Sequence, residues 1–379
     1  MGQHLSATLP MPSLQRHALP AGLHTLADHE TLAQQQLDSA HWAYISGGAG
    51  DETTLRANHD AWQQWLLRPR VLQPLAGLHT RTRLLGRDWP SPVLVAPMAC
   101  HRLAHPDGEY ATAVAAAALG VGMVLSTQTS APPEQVAALY LHDTDRGPLW
   151  FQLYGHNDRG WMRELLQRVR RAGYEAIVVT ADAPLQGVRD RERRAGFQLP
   201  AGLCALDLPS HATPSVPALL AQALQWDDLA WLVAEAGLPV LVKGILHPSD
   251  ARQAVQLGAA GVVVSNHGGR TLDTALPTAL ALPAIASALQ GDAAVLVDGG
   301  IRRGTDVLKA LALGADAVLL GRPVLYGLAN AGAAGVAHVL RLLQDELHAA
   351  MALCGVATPG QAQPSLLHHH PARAPHFLF

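Results

Sequence analysis

Cysteine is scarce in this 379-residue sequence, with Cys100, Cys204 and Cys354 the three present. They are too few and too widely spaced for a disulfide framework or a structural zinc site, so each reads as an ordinary core or surface residue, and a reducing compartment is the default. Charge is sparse as well: Asp, Glu, Lys and Arg make up 15% of the chain and leave a formal net charge of -3. Without clustered Lys and Arg there is no electrostatic footprint for nucleic acid or an anionic membrane. Long apolar runs are missing too. No window reaches the roughly 18 apolar residues of a membrane span, and the start, MGQHLSATLPMPSLQRHALP, lacks the basic end and apolar stretch of a signal peptide. The expectation is a cytoplasmic protein with a small-molecule partner, no nucleic acid and no metal.

What is present is a well-cored composition, 49% apolar, arranged periodically from about residue 90. Short β-rich runs alternate with Ala/Leu-rich amphipathic stretches. The runs are PVLVAP (92–97), GMVLS (122–126), LWFQLY (149–154), AIVVT (176–180), PVLVK (239–243), GVVVS (261–265), AVLVD (294–298) and AVLLG (317–321). Runs this continuously apolar are covered on both faces, which implies parallel strands. Eight of them with helical crossovers predict an α/β fold, a (β/α)8 TIM barrel, spanning 91–355. A helical N-terminal segment (1–90) is expected to contribute to the site, with Asp51 as the cap of a helix after YISGGAGDETTL, and a C-terminal tail (356–379) follows. The three adjacent histidines of that tail are assigned no chemistry. The longest insertion, 189–225, reads as a mobile catalytic-side loop. Its stretch 195–225 is nearly free of positive charge, which leaves membrane association open there.

Barrel function gathers at the C-terminal ends of the strands. Here those ends carry Ser126, Gln152 and Tyr154, Thr180 and Asp182, Lys243, Ser265 and His267, Asp298, and Arg322. Each such group must be solvated, paired or ligand-bound, which stability alone does not explain. VDGGIRRGTD (297–306) and LLGRP (319–323) follow the last two strands, where glycine amides and a helix N-terminus commonly hold phosphate. With Ser126, Gln152, Thr180 and Lys243 suited to the edge of a flat heterocycle, a phosphate there points to flavin mononucleotide, FMN.

In order, YISGGAGD, APMACHRLAHPDGE, WFQLY, VTADAP, LVKGI, SNHGGRTLD and VDGGIRRGTDVLKALALGADAVLLGRP resemble the FMN-dependent 2-hydroxy acid oxidase and dehydrogenase family over about residues 25–355. Members of that family act on acids such as glycolate, lactate and mandelate. The resemblance implies oxidation of an (S)-2-hydroxy acid to the 2-oxo acid, with oxygen or another electron acceptor restoring the flavin, in a homo-oligomer, commonly a homotetramer. Such chemistry asks for a base, cations for a carboxylate, and stabilisation of charge on a flavin.

His267 is the expected base, since its ordinary pKa lies near neutrality, and the resemblance pairs it with Asp182. Arg270 offers a planar fork for a carboxylate; by resemblance Tyr44 and Arg189 join it, and Tyr154 bonds the substrate oxygen. The resemblance places Lys243 by the flavin and Ala96, Pro97, Ala99, Ser126, Gln152 and Thr180 around its ring. It places Ser265, Asp298, Gly299, Gly300, Arg302, Gly321 and Arg322 at the ribityl phosphate. Gln128 stands where relatives such as glycolate oxidase carry an aromatic side chain, and Met98 also departs from some relatives. An FMN-dependent isomerase and a non-catalytic flavin-binding barrel are the alternatives. The first has no evident use for a His base and a carboxylate-binding Arg, and the second would be expected to lack them.

Overall fold

The computed structural model describes residues 14–15, 17–156, 158–206, 216–220 and 223–370. Ahead of the barrel lie helices α1 (Leu26–Gln36), α2 (Ser39–Ser46) and α3 (Thr53–Gln63) and strands β1 (Trp65–Leu67), β2 (Thr82–Leu84) and β3 (Arg87–Trp89). The barrel strands are β4 (Val93–Val95), β5 (Gly122–Ser126), β6 (Leu149–Tyr154), β7 (Ala176–Thr180), β8 (Val240–Ile245), β9 (Gly261–Val264), β10 (Ala294–Val297) and β11 (Ala317–Leu320). Between and after them run α4 (Gly108–Ala118), α5 (Pro133–Tyr140), α6 (Arg159–Ala172), α7 (Asp190–Arg194), α8 (Val216–Leu220), α9 (Trp226–Ala236), α10 (Pro248–Gln256), α11 (Thr278–Leu289), α12 (Gly304–Ala312) and α13 (Arg322–Cys354). All eight expected runs form strands, paired in parallel and closed into one barrel, with β11 returning to β4.

Period-two alternation divides the core into two layers. Leu94, Val124, Val178, Leu241, Val263, Leu296 and Leu319 fill the barrel interior. Their strand neighbours Val95, Leu125, Val179, Val242, Val262, Val297 and Val318 pack outward against the helices. This double burial is the physical origin of the uninterrupted apolar runs.

The N-terminal segment contains more than helices. The antiparallel β2–β3 hairpin carries Leu84 and Trp89 into the inner layer. Trp89 meets Trp150 edge-on, ring centroids 5.3 Å apart, and closes the barrel end opposite the site. Asp51 does not cap α3. Glu52 holds the cap position in a left-handed conformation (φ 61) with no side-chain cap bond, and the Thr54 amide donates instead to Asp273 Oδ1 at 2.8 Å. The first part of the C-terminal tail is ordered: β12 (Leu367–His369) pairs antiparallel with β1. Its remainder, 371–379, lies outside the described residues, as do 207–215 and 221–222 of the loop expected to be mobile. By length and composition α13 is apolar enough to cross a membrane, yet 72% of its apolar window is buried and its geometry breaks at Ala331 and Gly332. It packs instead on α1, α4 and α12.

Candidate active site

A cavity of about 810 Å³ opens at the C-terminal ends of the barrel strands, within the size range of cofactor and substrate sites. One wall carries the catalytic candidates. His267 follows β9 in a left-handed conformation (φ 58), continued by Gly268 and Gly269 (φ 62 and 73). A non-glycine residue there is held under local strain by its surroundings. Two contacts fix it. The His267 amide donates to Ser265 Oγ at 3.0 Å, and its Nδ1 meets Asp182 Oδ1 at 3.0 Å. Behind it, the side-chain amides of Asn58 and Asn266 bond reciprocally at 2.8 and 2.7 Å, pinning α3 to the histidine loop.

Asp182 reaches the ring because β8 bulges between Lys243 and Ile245. At the bulge Gly244 has φ 106, and a Cβ there would lie 2.5 Å from that of Asp182. Burial raises the Asp182 pKa, but the bond from His267 and the Lys243 charge outweigh it and hold the carboxyl below its ordinary value. Burial, with the Lys243 charge adding to it, depresses the His267 pKa below 6.5 despite Asp182. At neutral pH the ring is therefore a neutral base, with Asp182 accepting the Nδ1 hydrogen and leaving Nε2 to take a proton.

Lys243 is buried at the end of β8, donating to Ser265 Oγ at 2.8 Å and lying 3.2 Å from Asp298 Oδ2. Burial lowers its pKa, but the charges of Asp298 and Asp182 outweigh it, so the ammonium stays charged. Ser126, Lys243, Asp298, Ala96, Pro97 and Ala99 all face the cavity. Gln152, Thr180 and Ser265 sit one layer deeper. Ser126 Oγ donates to Gln152 Oε1 and Gln152 Nε2 to Thr180 Oγ1, both at 2.9 Å. Their bonds orient the groups that do face the cavity.

The cationic wall is built across the fold. Arg270 donates to the carbonyls of Tyr44 (2.6 Å) and Gly47 (3.0 Å) and to Glu192 Oε1 (3.0 Å), with its guanidinium 5.0 Å from the Tyr44 ring centroid. Arg189 also meets Glu192, at 3.4 Å. Tyr44 stacks on Phe197 at 4.4 Å. Tyr154 faces the same cavity, and burial raises the pKa of both tyrosines, keeping them as donors. Glu192 escapes sequence reasoning, because VRDRERR reads as a solvated charge run. Its one available signal is the helical i,i+3 spacing from Arg189. Glu192→Ala should leave two part-buried guanidinium groups without their shared countercharge, at a cost of up to about 3–5 kcal/mol. A denaturant midpoint unchanged by the substitution would contradict this.

At the opposite wall, Gly299, Gly300 and Arg302 after β10 face Gly321 and Arg322 after the adjacent β11. Gly321 caps α13 without a side-chain bond, leaving a helix N-terminus toward the cavity. Arg322 is already held by the carbonyls of Ile45, Gly268 and Gly47 at 3.2, 2.9 and 2.7 Å, and burial lowers its pKa to about 10. A guanidinium has five N–H donors, so two remain for an anion. Gly300 is required: its φ is 79, and a Cβ would lie 2.1 Å from the Asn58 carbonyl oxygen. Gly300→Ala should cost at least ~1–2 kcal/mol from its left-handed backbone alone and release cofactor on gel filtration. A variant that keeps a full complement of flavin would refute the cradle.

These groups fit FMN. The buried Asp298 Oδ1 has no partner, which suits a ribityl hydroxyl donor, and the glycine loops with Arg302 and Arg322 suit its phosphate. Residues 33–369 match the family model described as FMN-dependent dehydrogenase. The chain belongs to this family. As an FMN-dependent oxidoreductase it is 47% identical over 358 residues to an L-lactate oxidase of Nostoc sp., covering 90% of this chain and 97% of that one. It is 42% identical over 340 residues to glycolate oxidase of Spinacia oleracea, covering 86% and 91%. Among solved structures, mandelate oxidase with benzoyl-formic acid superposes with a TM-score of 0.84 at 42% identity, covering 91% of this chain and 98% of the other.

Proposed function

We propose that this enzyme oxidises an (S)-2-hydroxy acid to the 2-oxo acid and passes the electrons to oxygen. The observation that carries the reading is the His267–Asp182 pair, 3.0 Å apart, at a cavity also lined by Arg270, Arg189, Tyr44, Tyr154 and Lys243. Relatives named L-lactate oxidase and (S)-2-hydroxy-acid oxidase support the handedness and the acceptor.

FMN, when bound, supplies the acceptor for the electron pair. Arg270 and Arg189 bind the substrate carboxylate, and Tyr44 and Tyr154 donate to its oxygens. His267 removes one proton from the substrate, and Asp182 stabilises the imidazolium that results. Lys243 holds positive charge where negative charge develops. The isomerase alternative finds less support, since a carboxylate-binding fork and a neutral His base have no use on a diphosphate.

The test is anaerobic mixing of the yellow enzyme with small, aliphatic and aromatic 2-hydroxy acids while following flavin absorbance. Bleaching by at least one acid, followed by rapid return of colour in air, is expected. A flavin that none of them bleaches would sink the reading.

A further inference from the structure

Cys100 and Cys204 lie 104 residues apart in sequence, yet their sulfurs are 3.6 Å apart. The approach is built in. Cys100 ends the loop after β4 in a left-handed conformation (φ 48). Its amide and its thiol both donate to the Gln128 carbonyl, at 2.9 and 3.3 Å. On the other side the Ala205 amide donates to the Thr129 carbonyl at 2.8 Å, and Leu206 is buried. Both thiols are thus positioned from one short stretch, Gln128–Thr129, and both Gln128 and Ala99 face the active-site cavity. Cys100 is buried and Cys204 partly exposed. Cys204 is therefore the more exposed residue of the pair.

We propose that Cys100 and Cys204 form a peroxide-responsive thiol–disulfide site that couples the loop after β4 to the 201–206 segment. The proposal rests on the reading above that turnover reduces oxygen, since two-electron reduction of oxygen yields hydrogen peroxide in the cavity lined by Ala99 and Gln128, the neighbours of this pair. Cys204, on the more exposed residue, attacks peroxide: an S–O bond forms, the O–O bond breaks, and water leaves. The Cys100 sulfur then displaces the hydroxyl: an S–S bond forms, the S–O bond breaks, and a second water leaves. Two thiols lose two electrons and two protons, and one peroxide becomes two waters. Burial and the neighbouring Cys204 hold the Cys100 thiol above its ordinary pKa, so Cys100 stays protonated and the first attack on peroxide falls to Cys204. Bond formation needs the sulfurs to close from 3.6 Å to about 2.0 Å. The expected reducing compartment makes the bond reversible.

Alkylation under denaturing conditions followed by peptide mass analysis tests this on the holoenzyme. Before oxidation all three cysteines should alkylate. After hydrogen peroxide is added, Cys354 alone should alkylate, with Cys100 and Cys204 in one cross-linked peptide pair that dithiothreitol restores. Aerobic turnover should produce the same cross-link, and catalase should prevent it. Cys204→Ser should retain alkylatable Cys100 and Cys354 throughout. Three free thiols after added peroxide, or Cys204 oxidised without linkage to Cys100, would overturn the proposal. A cross-link formed by added peroxide but absent during aerobic turnover that releases no detectable peroxide supports the pair as a redox site and removes oxygen as the acceptor; the same absence with peroxide released would overturn the coupling of the pair to turnover.

Discussion

Replacing His267 with glutamine should lower kcat by about 10²–10⁴-fold while FMN remains bound. The separation follows from the geometry. Among the described residues, the cavity-facing loops after β10 and β11 make no bond to the His267 side chain, whose Nδ1 meets Asp182 Oδ1. The bonds that hold the loop, from the His267 amide to Ser265 Oγ and between the side chains of Asn58 and Asn266, do not need an imidazole. Glutamine keeps a polar side chain in the left-handed position but has no titratable nitrogen. Full flavin occupancy with the acid-induced bleaching abolished is the expected pattern in stopped flow. Unaltered bleaching would remove His267 from the chemistry, and lost flavin would show that it serves the fold instead.

The barrel was legible because parallel strands buried on both faces leave a local mark, a continuous apolar run, and because polar residues at the strand ends break that run abruptly. Gln152 and Thr180 were legible as polar strand ends, yet their place one layer beneath the cavity depends on how neighbouring strands stagger, which no single segment encodes. Long-range partners were invisible for the same reason. The amide near the start of α3 is satisfied by Asp273, 219 residues away, so Asp51, the local candidate, was the wrong one. Glu192 looked solvated because its burial arises only when α7 folds over Arg270. The cysteine pair, widely spaced in sequence, becomes a pair only through the Gln128–Thr129 loop.

The electrostatics of the site make a second prediction with opposite signs for two substitutions. His267 acts as a base only when neutral, so kcat/KM should rise with pH through its pKa, which the fold depresses below 6.5. Burial is the leading cause; Lys243 and Arg270 also lower it, while Asp182 raises it. Asp182→Asn removes the one favourable charge, so the acidic limb should move to lower pH. The rate at the plateau should fall by about 10²-fold or more, because the ring loses its oriented tautomer. Lys243→Met removes a repelling charge, so the same limb should move to higher pH. That variant also strands Asp298, whose Oδ2 lies 3.2 Å from the ammonium, and should lose about 3–5 kcal/mol of stability. The pH dependence of that loss has a definite sign. The folded Lys243 pKa is raised above 10.5, so its contribution is complete below that value and disappears as pH rises through the folded pKa. Unfolding curves of wild type and Lys243→Met should therefore differ most at neutral pH and converge in strong base. Acidic limbs that moved in the same direction in both variants would show that the titrating group is not the imidazole between Asp182 and Lys243.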